Sequence, residues 1–234
     1  MRTLVISDLH LGSPGRFPGA DLELTTLLAG NWDRVVVAGD LFDLWVGSLE
    51  DAVSKHGELL SAFRSMSERV VYVIGNHDAV LKGVQTMDGI EVVSGAYRFL
   101  DGGKQVAIAH GDAYDFVLPS GILSRVFAWV GAWIDRMASW SLGPSVSVQR
   151  TLRRSFAALG DARSEYAEPV AKAAVSDLDA DVVVIGHTHL PEERCFGGCR
   201  YANTGSWGPA DRPTWVEIAD GEPVLQSGWP SEVQ

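Results

Sequence analysis

Residues 34–43 read Arg-Val-Val-Val-Ala-Gly-Asp-Leu-Phe-Asp (RVVVAGDLFD), an apolar run that stops at a glycine and delivers two carboxylates, Asp40 and Asp43. Consecutive β-branched residues suit a strand buried on both faces, because a strand with one wet face would show a polar residue at every second position. Gly39 punctuates the run, and acidic residues follow it at once.

The same construction recurs on both sides of this stretch. Leu4-Val5-Ile6 runs into Ser7-Asp8-Leu9-His10, and Val73-Ile74 into Gly75-Asn76-His77-Asp78. Ile108 leads to His110-Gly111-Asp112, and Val184-Ile185 to Gly186-His187-Thr188-His189. Helical stretches are expected between several of these runs, from Asp21 to Gly30, Glu50 to Glu68 and Ser120 to Leu178. Such alternation predicts an α/β architecture, whose binding sites lie at the carboxyl ends of the strands. Five of the six histidines fall in these strand-end motifs, and only His56 sits apart in a helical stretch. One histidine after a strand is ordinary; five gathered in this way point to a metal site.

The 234 residues, 46% of them hydrophobic, suffice for one large domain spanning 1–234, or one domain carrying a sizeable insertion. A net charge of −11 argues against broad nucleic-acid binding, because a phosphate backbone is met by a basic surface. The opening MRTLVISDLH enters a strand immediately and lacks the regions of a secretory signal, so a cytoplasmic location is expected. No apolar run approaches the ~20 residues of a membrane-spanning helix, which leaves peripheral contact with the inner face of the membrane open. Cys195 and Cys199 flank a hairpin-like Phe196-Gly197-Gly198 and read as two incidental thiols.

Asp8, His10, Asp40, Asn76, His110, His187 and His189 offer carboxylate, imidazole and amide oxygen without thiolate. That set suits Mn²⁺, Fe²⁺, Zn²⁺ or Mg²⁺. Seven ligands exceed the needs of one catalytic ion, whereas two ions roughly 3.5–4 Å apart that share a carboxylate account for them.

In this order and spacing D-x-H, GD-x-x-D, GNHD, HGD and GH-x-H, spanning residues 8–189, resemble the calcineurin-like metallophosphoesterase superfamily. The resemblance implies a four-layer sandwich, two mixed β-sheets packed face to face and flanked by helices, with a pair of divalent ions, Mn²⁺ foremost, at one sheet edge. It implies that Asp8, His10 and His189 hold the first ion, that Asp40 bridges, and that Asn76, His110 and His187 complete the second site. His77 then assists the leaving oxygen and Asp43 pairs with His77. SDLHLG (7–12), GDLFDLW (39–45), HGDAYDF (110–116), WSL (140–142) and YANTGSW (201–207) are similar, more closely, to the UDP-2,3-diacylglucosamine diphosphatase group. That group cleaves the pyrophosphate of a lipid A precursor to UMP and a lipid phosphate, and its best-known enzymes carry Arg at the position of His77. The alternatives are a soluble phosphodiesterase or phosphatase acting on a nucleotide or other small phosphoester, and a non-catalytic scaffold with the same fold.

Residues 120–163 have no counterpart in a minimal catalytic core of this kind. Ser120 can cap a helix carrying Phe127, Trp129, Val130, Trp133, Ile134 and Trp140, interrupted by Arg125, Asp135 and Arg136. The segment holds six Arg and two Asp, a local charge of +4. As a helical lid it would set Trp129 and Trp133 against acyl chains and Arg150, Arg153 and Arg154 against phosphate oxygens of a lipid-linked phosphoester. A core or dimer-forming helix pair, or a helix lying on a membrane surface, would have the same composition.

Overall fold

The computed structural model describes residues 1–13, 16, 19–115, 160–208 and 212–230, the side chains of 160–166 excepted. Trp129, Trp133, Arg150, Arg153 and Arg154, and with them the expected lid, lie outside the described residues.

In chain order the described elements are β1 (Arg2–Ile6), α1 (Ala20–Leu28), β2 (Arg34–Ala38), α2 (Leu49–Lys55), α3 (Gly57–Ser65), β3 (Val70–Val73), β4 (Thr86–Met87), β5 (Ile90–Val93), β6 (Ala96–Asp101) and β7 (Lys104–Ala109). They continue with α4 (Gly160–Leu178), β8 (Val182–Ile185), β9 (Glu192–Phe196), β10 (Cys199–Asn203), β11 (Thr214–Ala219) and β12 (Glu222–Ser227). One sheet has the order β12-β11-β1-β2-β3-β5-β4 and the other β6-β7-β8-β10-β9. The central strands β1, β2, β3 and β5 are parallel, as are β7, β8 and β10, and antiparallel strands close the edges. Parallel neighbours deliver their carboxyl-end loops to one edge of each sheet, which is why the motifs meet.

The β-branched runs are continuous because both faces of both sheets are covered. Val5, Val36, Ala38 and Val73 turn inward against Val106, Ile108, Val182, Val184 and Ala202 of the second sheet. Their neighbours Leu4, Ile6, Val35 and Val37 turn outward onto Leu24 and Leu28 of α1 and Leu59 and Phe63 of α3. On the far side Ala107, Val183 and Ile185 pack on Val170, Ala171, Ala174 and Leu178 of α4. The result is the four-layer order helix, sheet, sheet, helix. Each fully buried Val or Leu contributes roughly 1.5–3 kcal/mol, enough to hold the strand register against a slip that would exchange the faces.

The expected helix over 50–68 is broken. Ser48 caps α2 by accepting the Asp51 N–H at 3.0 Å, α2 ends at Lys55 with His56 as its C-cap, and Gly57, a poor helix former, opens α3. Nor is His56 isolated: its Nε2 accepts the Gly12 N–H at 3.3 Å and its Nδ1 lies 2.6 Å from Asp21 Oδ2. The Cys195–Cys199 stretch does turn as a hairpin, with Gly197 and Gly198 at φ 57° and 98° between Phe196 and Cys199. Both cysteines are free thiols. Among the described residues no helix is long and apolar enough to cross a membrane.

Candidate metal centre

The backbone marks the site before any side chain does. Eight described non-glycine residues have positive φ, and Asp8 (54°), His10 (46°), Asp40 (52°), His187 (65°) and His189 (57°) are five of them. This left-handed conformation is uncommon outside glycine, although Asp and His tolerate it better than most, and it gathers where function fixes a side-chain direction. The loops after β1 and β2 continue to pair beyond the sheet: the Asp8, His10 and Leu11 N–H groups donate to the carbonyls of Gly39, Asp40 and Leu41 at 3.1, 3.0 and 2.8 Å. Gly39, at φ 91°, has no room for a side chain, because a Cβ there would overlap the His110 ring.

Asp8 and Asp40 each spend one oxygen on the protein and turn the other into the site. Asp8 Oδ2 accepts from Ser7 Oγ and from the His187 N–H at 3.1 Å. Asp8 Oδ1 is buried without a well-formed hydrogen bond and faces His189 Nε2 at 2.9 Å and His10 Nε2 at 3.8 Å. Those two ring nitrogens are 3.3 Å apart. Asp40 Oδ1 accepts the His77 N–H at 2.8 Å, leaving Oδ2 at 3.3 Å from His110 Nε2 and 3.9 Å from His77 Nε2.

A second cluster centres on Asn76. His110 Nδ1 donates to the Ala38 carbonyl at 3.0 Å, which turns its Nε2 toward Asn76 Oδ1 at 2.9 Å. The His187 Nε2–H donates to Asp115 Oδ2 at 3.0 Å, so Nδ1 presents a lone pair to the same amide oxygen at 3.1 Å. A cation between His110 Nε2, His187 Nδ1 and the Asn76 oxygen would be bound by all three, each with its other polar atom already engaged by the protein or free to turn away. The donor set therefore fits divalent ions. Asp8, His10 and His189 gather their ligand atoms within 4.8 Å of one another, as do Asp8, Asp40 and His110, and His10, Asp40 and His77. Asp8, His10 and Asp40 each belong to two of these groups, which makes them one continuous cluster.

The electrostatics agree with that donor set at Asp8, Asp40 and His10; at His110 burial is outweighed by the charges of Asp40 and Asp8, which raise the pKa well above 6.5, so a cation bound there would take the place of its proton. Burial alone would raise the Asp8 carboxyl, but His189 and His110 outweigh it and bring it down to about 2. Against the same burial, His110 holds Asp40 well below the carboxylate range. Burial pushes His10 down to about 4, leaving it a neutral imidazole. Ionised carboxylates and neutral imidazoles are the protonation states that bind metal.

At the edge of these clusters His77 Nδ1 lies 2.9 Å from Asp43 Oδ1. The Trp45 ring stacks on His77 with centroids 3.8 Å apart and planes inclined by 17°, and its Nε1 donates to the Asn76 carbonyl at 3.0 Å. Burial lowers the His77 pKa, but the Asp43 hydrogen bond and the charges of Asp40 and Asp43 prevail and raise it above 6.5.

The structure thus brings together Asp8, His10, Asp40, Asp43, Asn76, His77, His110, His187 and His189, and adds supports to which the motifs alone assigned no role. Asp115 orients His187; Asn203 holds the last strand-end loop through the Gly186 carbonyl at 2.7 Å and Thr188 Oγ1 at 3.1 Å. Thr204 Oγ1 lies 2.6 Å from Ser7 Oγ, which in turn fixes Asp8. All of these sit inside the stretches 7–12, 39–45, 110–116 and 201–207, so the signal was present without its geometry.

The model of the calcineurin-like phosphoesterase family matches residues 1–191. A UDP-2,3-diacylglucosamine hydrolase of Shewanella pealeana is 25% identical over 224 residues, covering 88% of this chain and 90% of the relative. Its counterpart in Photorhabdus laumondii subsp. laumondii is 29% identical over 206 residues, covering 82% and 83%. Among solved structures, Vps29 of Chaetomium thermophilum (16% identity, 97% and 98% coverage, TM-score 0.51) and the phosphoesterase YfcE of E. coli (16%, 97% and 99%, 0.50) share the fold. A family match across most of the chain falls on a site where carboxylates and imidazoles gather within reach of a cation: the chain belongs to the calcineurin-like phosphoesterase family and is a metal-dependent phosphoester hydrolase.

Proposed function

We propose that this hydrolase uses two divalent ions, Mn²⁺ foremost, to cleave the pyrophosphate of UDP-2,3-diacylglucosamine or a similar nucleotide-linked lipid. The observation that carries the two-ion part is Asp40, which groups with Asp8 and His110 on one side and with His10 and His77 on the other while its Oδ1 is tied to the backbone. The lipid part is supported by the relatives of that name, at 25–29% identity over most of both chains.

In this reading Asp8, His10 and His189 hold one ion, Asn76, His110 and His187 the other, and Asp40 bridges. When bound, the ions supply Lewis acidity and lower the pKa of water from 15.7 toward ~7. The chain itself supplies the proton for the leaving oxygen. With the Nδ1–H of His77 held by Asp43, the Nε2–H is presented toward the site, and Trp45 stacked behind the ring limits its rotation.

The pH dependence follows from the sign of the His77 shift. A raised folded-state value keeps the acid protonated to higher pH, so kcat should fall as pH rises through it. The linked stability has the same sign, present in full below about 6.5 and lost as pH rises through the folded value. Asp43→Asn removes the largest raising influence, so the alkaline limb of the kcat profile should move to lower pH. An alkaline limb that stays in place would take Asp43 out of this role.

The substrate is tested by comparing kcat/KM for UDP-2,3-diacylglucosamine, an unacylated UDP-sugar, a cyclic nucleotide and an aryl phosphate with Mn²⁺. Each buried methylene contributes about 0.8 kcal/mol, so two already favour the acylated compound about tenfold. Trp129→Ala or Trp133→Ala should erase that preference and spare the aryl phosphate, whereas Arg150→Ala, Arg153→Ala or Arg154→Ala should raise KM. The histidine at 77, where the best-known lipid enzymes of the resembling group carry arginine, favours a second reading as a phosphodiesterase on small phosphoesters. Equal kcat/KM on acylated and unacylated UDP-sugars would select it.

A further inference from the structure

Asp78 belongs to none of the three ligand groups, yet it is completely buried and fully engaged. Its Oδ2 accepts the Leu41 N–H at 2.9 Å and the Tyr72 hydroxyl, and its Oδ1 accepts the Gly75 N–H at 2.6 Å. Leu41 follows Asp40, and Gly75 precedes Asn76. The exchange is reciprocal, because Asp40 Oδ1 accepts the His77 N–H at 2.8 Å from the opposite loop. Each loop therefore gives a backbone N–H to a carboxylate of the other. The closeness this requires leaves no space at residue 75, where a Cβ would overlap Asp40 Oδ1.

We propose that Asp78 is a positioning residue that clasps the loop after β2 to the loop after β3 and so sets the spacing of Asp40 and Asn76 before any metal binds. The inference rests on the ligand assignment proposed above and is independent of the substrate. Two carboxylates on crossed loops, each accepting from the other's backbone, fix the separation of the loops as well as their direction. A buried carboxylate serving core stability alone would need neither the reciprocity nor two donors from loops that carry ligands.

The test is calorimetric titration of the metal-free full chain with Mn²⁺, comparing wild type with Asp78→Asn and Tyr72→Phe. Asparagine keeps one acceptor oxygen but turns an NH₂ group against the other backbone N–H, so the clasp opens at one loop. Asp78→Asn should weaken Mn²⁺ binding by about 10- to 100-fold, the scale on which residues behind metal ligands act. Tyr72→Phe keeps both loop bonds and should leave Mn²⁺ affinity unchanged. Equal affinity in Asp78→Asn and wild type, or an equal loss in Tyr72→Phe, would overturn the proposal. Failure of the wild type to bind Mn²⁺ would overturn the ligand assignment and the clasp with it. Should Asp78→Asn not fold, amide hydrogen exchange on the wild type decides. The Leu41 and Gly75 amides should exchange as slowly without metal as the strand amides beside them; protection appearing only with Mn²⁺ would mean that the metal sets the spacing.

Discussion

Asp40→Ala is expected to lose metal and activity together, because in the proposed assignment it removes the carboxylate that bridges the two ions. The bound Mn²⁺ should fall from two ions per chain to one or none, and kcat/KM by at least about 10⁴-fold, equivalent to roughly 5.5 kcal/mol of transition-state stabilisation. Part of that loss is indirect. Asp40 Oδ1 also accepts the His77 N–H, so alanine frees the loop that carries Asn76 and His77. Asp40→Asn separates the two effects: its amide oxygen can still accept that N–H, while the charge that would bind both ions is gone. Asn should therefore keep much of the fold stability that Ala loses, and recover little of the activity. Metal content by elemental analysis, measured beside kcat/KM, checks this. Two tightly bound ions in either variant would remove Asp40 from the bridging position.

The five strand-end motifs were legible because the chemistry and the backbone demand the same residues. Asp8 and His10, at φ 54° and 46°, stand in left-handed conformations directly after an apolar strand, and Gly39 is required where the His110 ring passes. The double-sided burial of Val35, Val36 and Val37 was equally plain in an unbroken β-branched run. Long-range pairing was less accessible. Nothing local in Asp115 indicates that it meets His187, seventy-two residues later in the chain, or that Asp78 reaches back to Leu41 across thirty-seven. A hydrogen-bond partner brought in by topology leaves no spacing in the sequence. The break at His56 escaped for a related reason: Gly57 alone is tolerated in a helix at a cost of about 1 kcal/mol, and the contacts that favour a break there, with Gly12 and Asp21, are also distant.

His77→Asn is expected to lower kcat by roughly 10²- to 10⁴-fold with normal metal content, about 3–5.5 kcal/mol of transition-state stabilisation. Metal content should survive because the hydrogen bond that His77 gives Asp40 comes from its backbone N–H, which any residue at 77 retains, whereas its Nε2 stays 3.9 Å from Asp40 Oδ2. The side chain instead has Nδ1 held by Asp43 and one face stacked on Trp45, an arrangement that aims Nε2 at the site without making it a required ligand. If that nitrogen gives its proton to the leaving oxygen, the need for it scales with the basicity of the leaving group. The defect should then be large for alkyl phosphoesters and shrink toward unity for nitrophenyl esters, whose leaving groups depart unprotonated. His77→Arg provides the sharper contrast. Arginine can stabilise charge on the leaving oxygen but does not release a proton near neutral pH, so this variant should retain more activity than Asn while losing the alkaline limb of the kcat profile. Equal losses for good and poor leaving groups in His77→Asn, or an alkaline limb that persists in His77→Arg, would assign the proton transfer to another group and leave His77 a part in binding only.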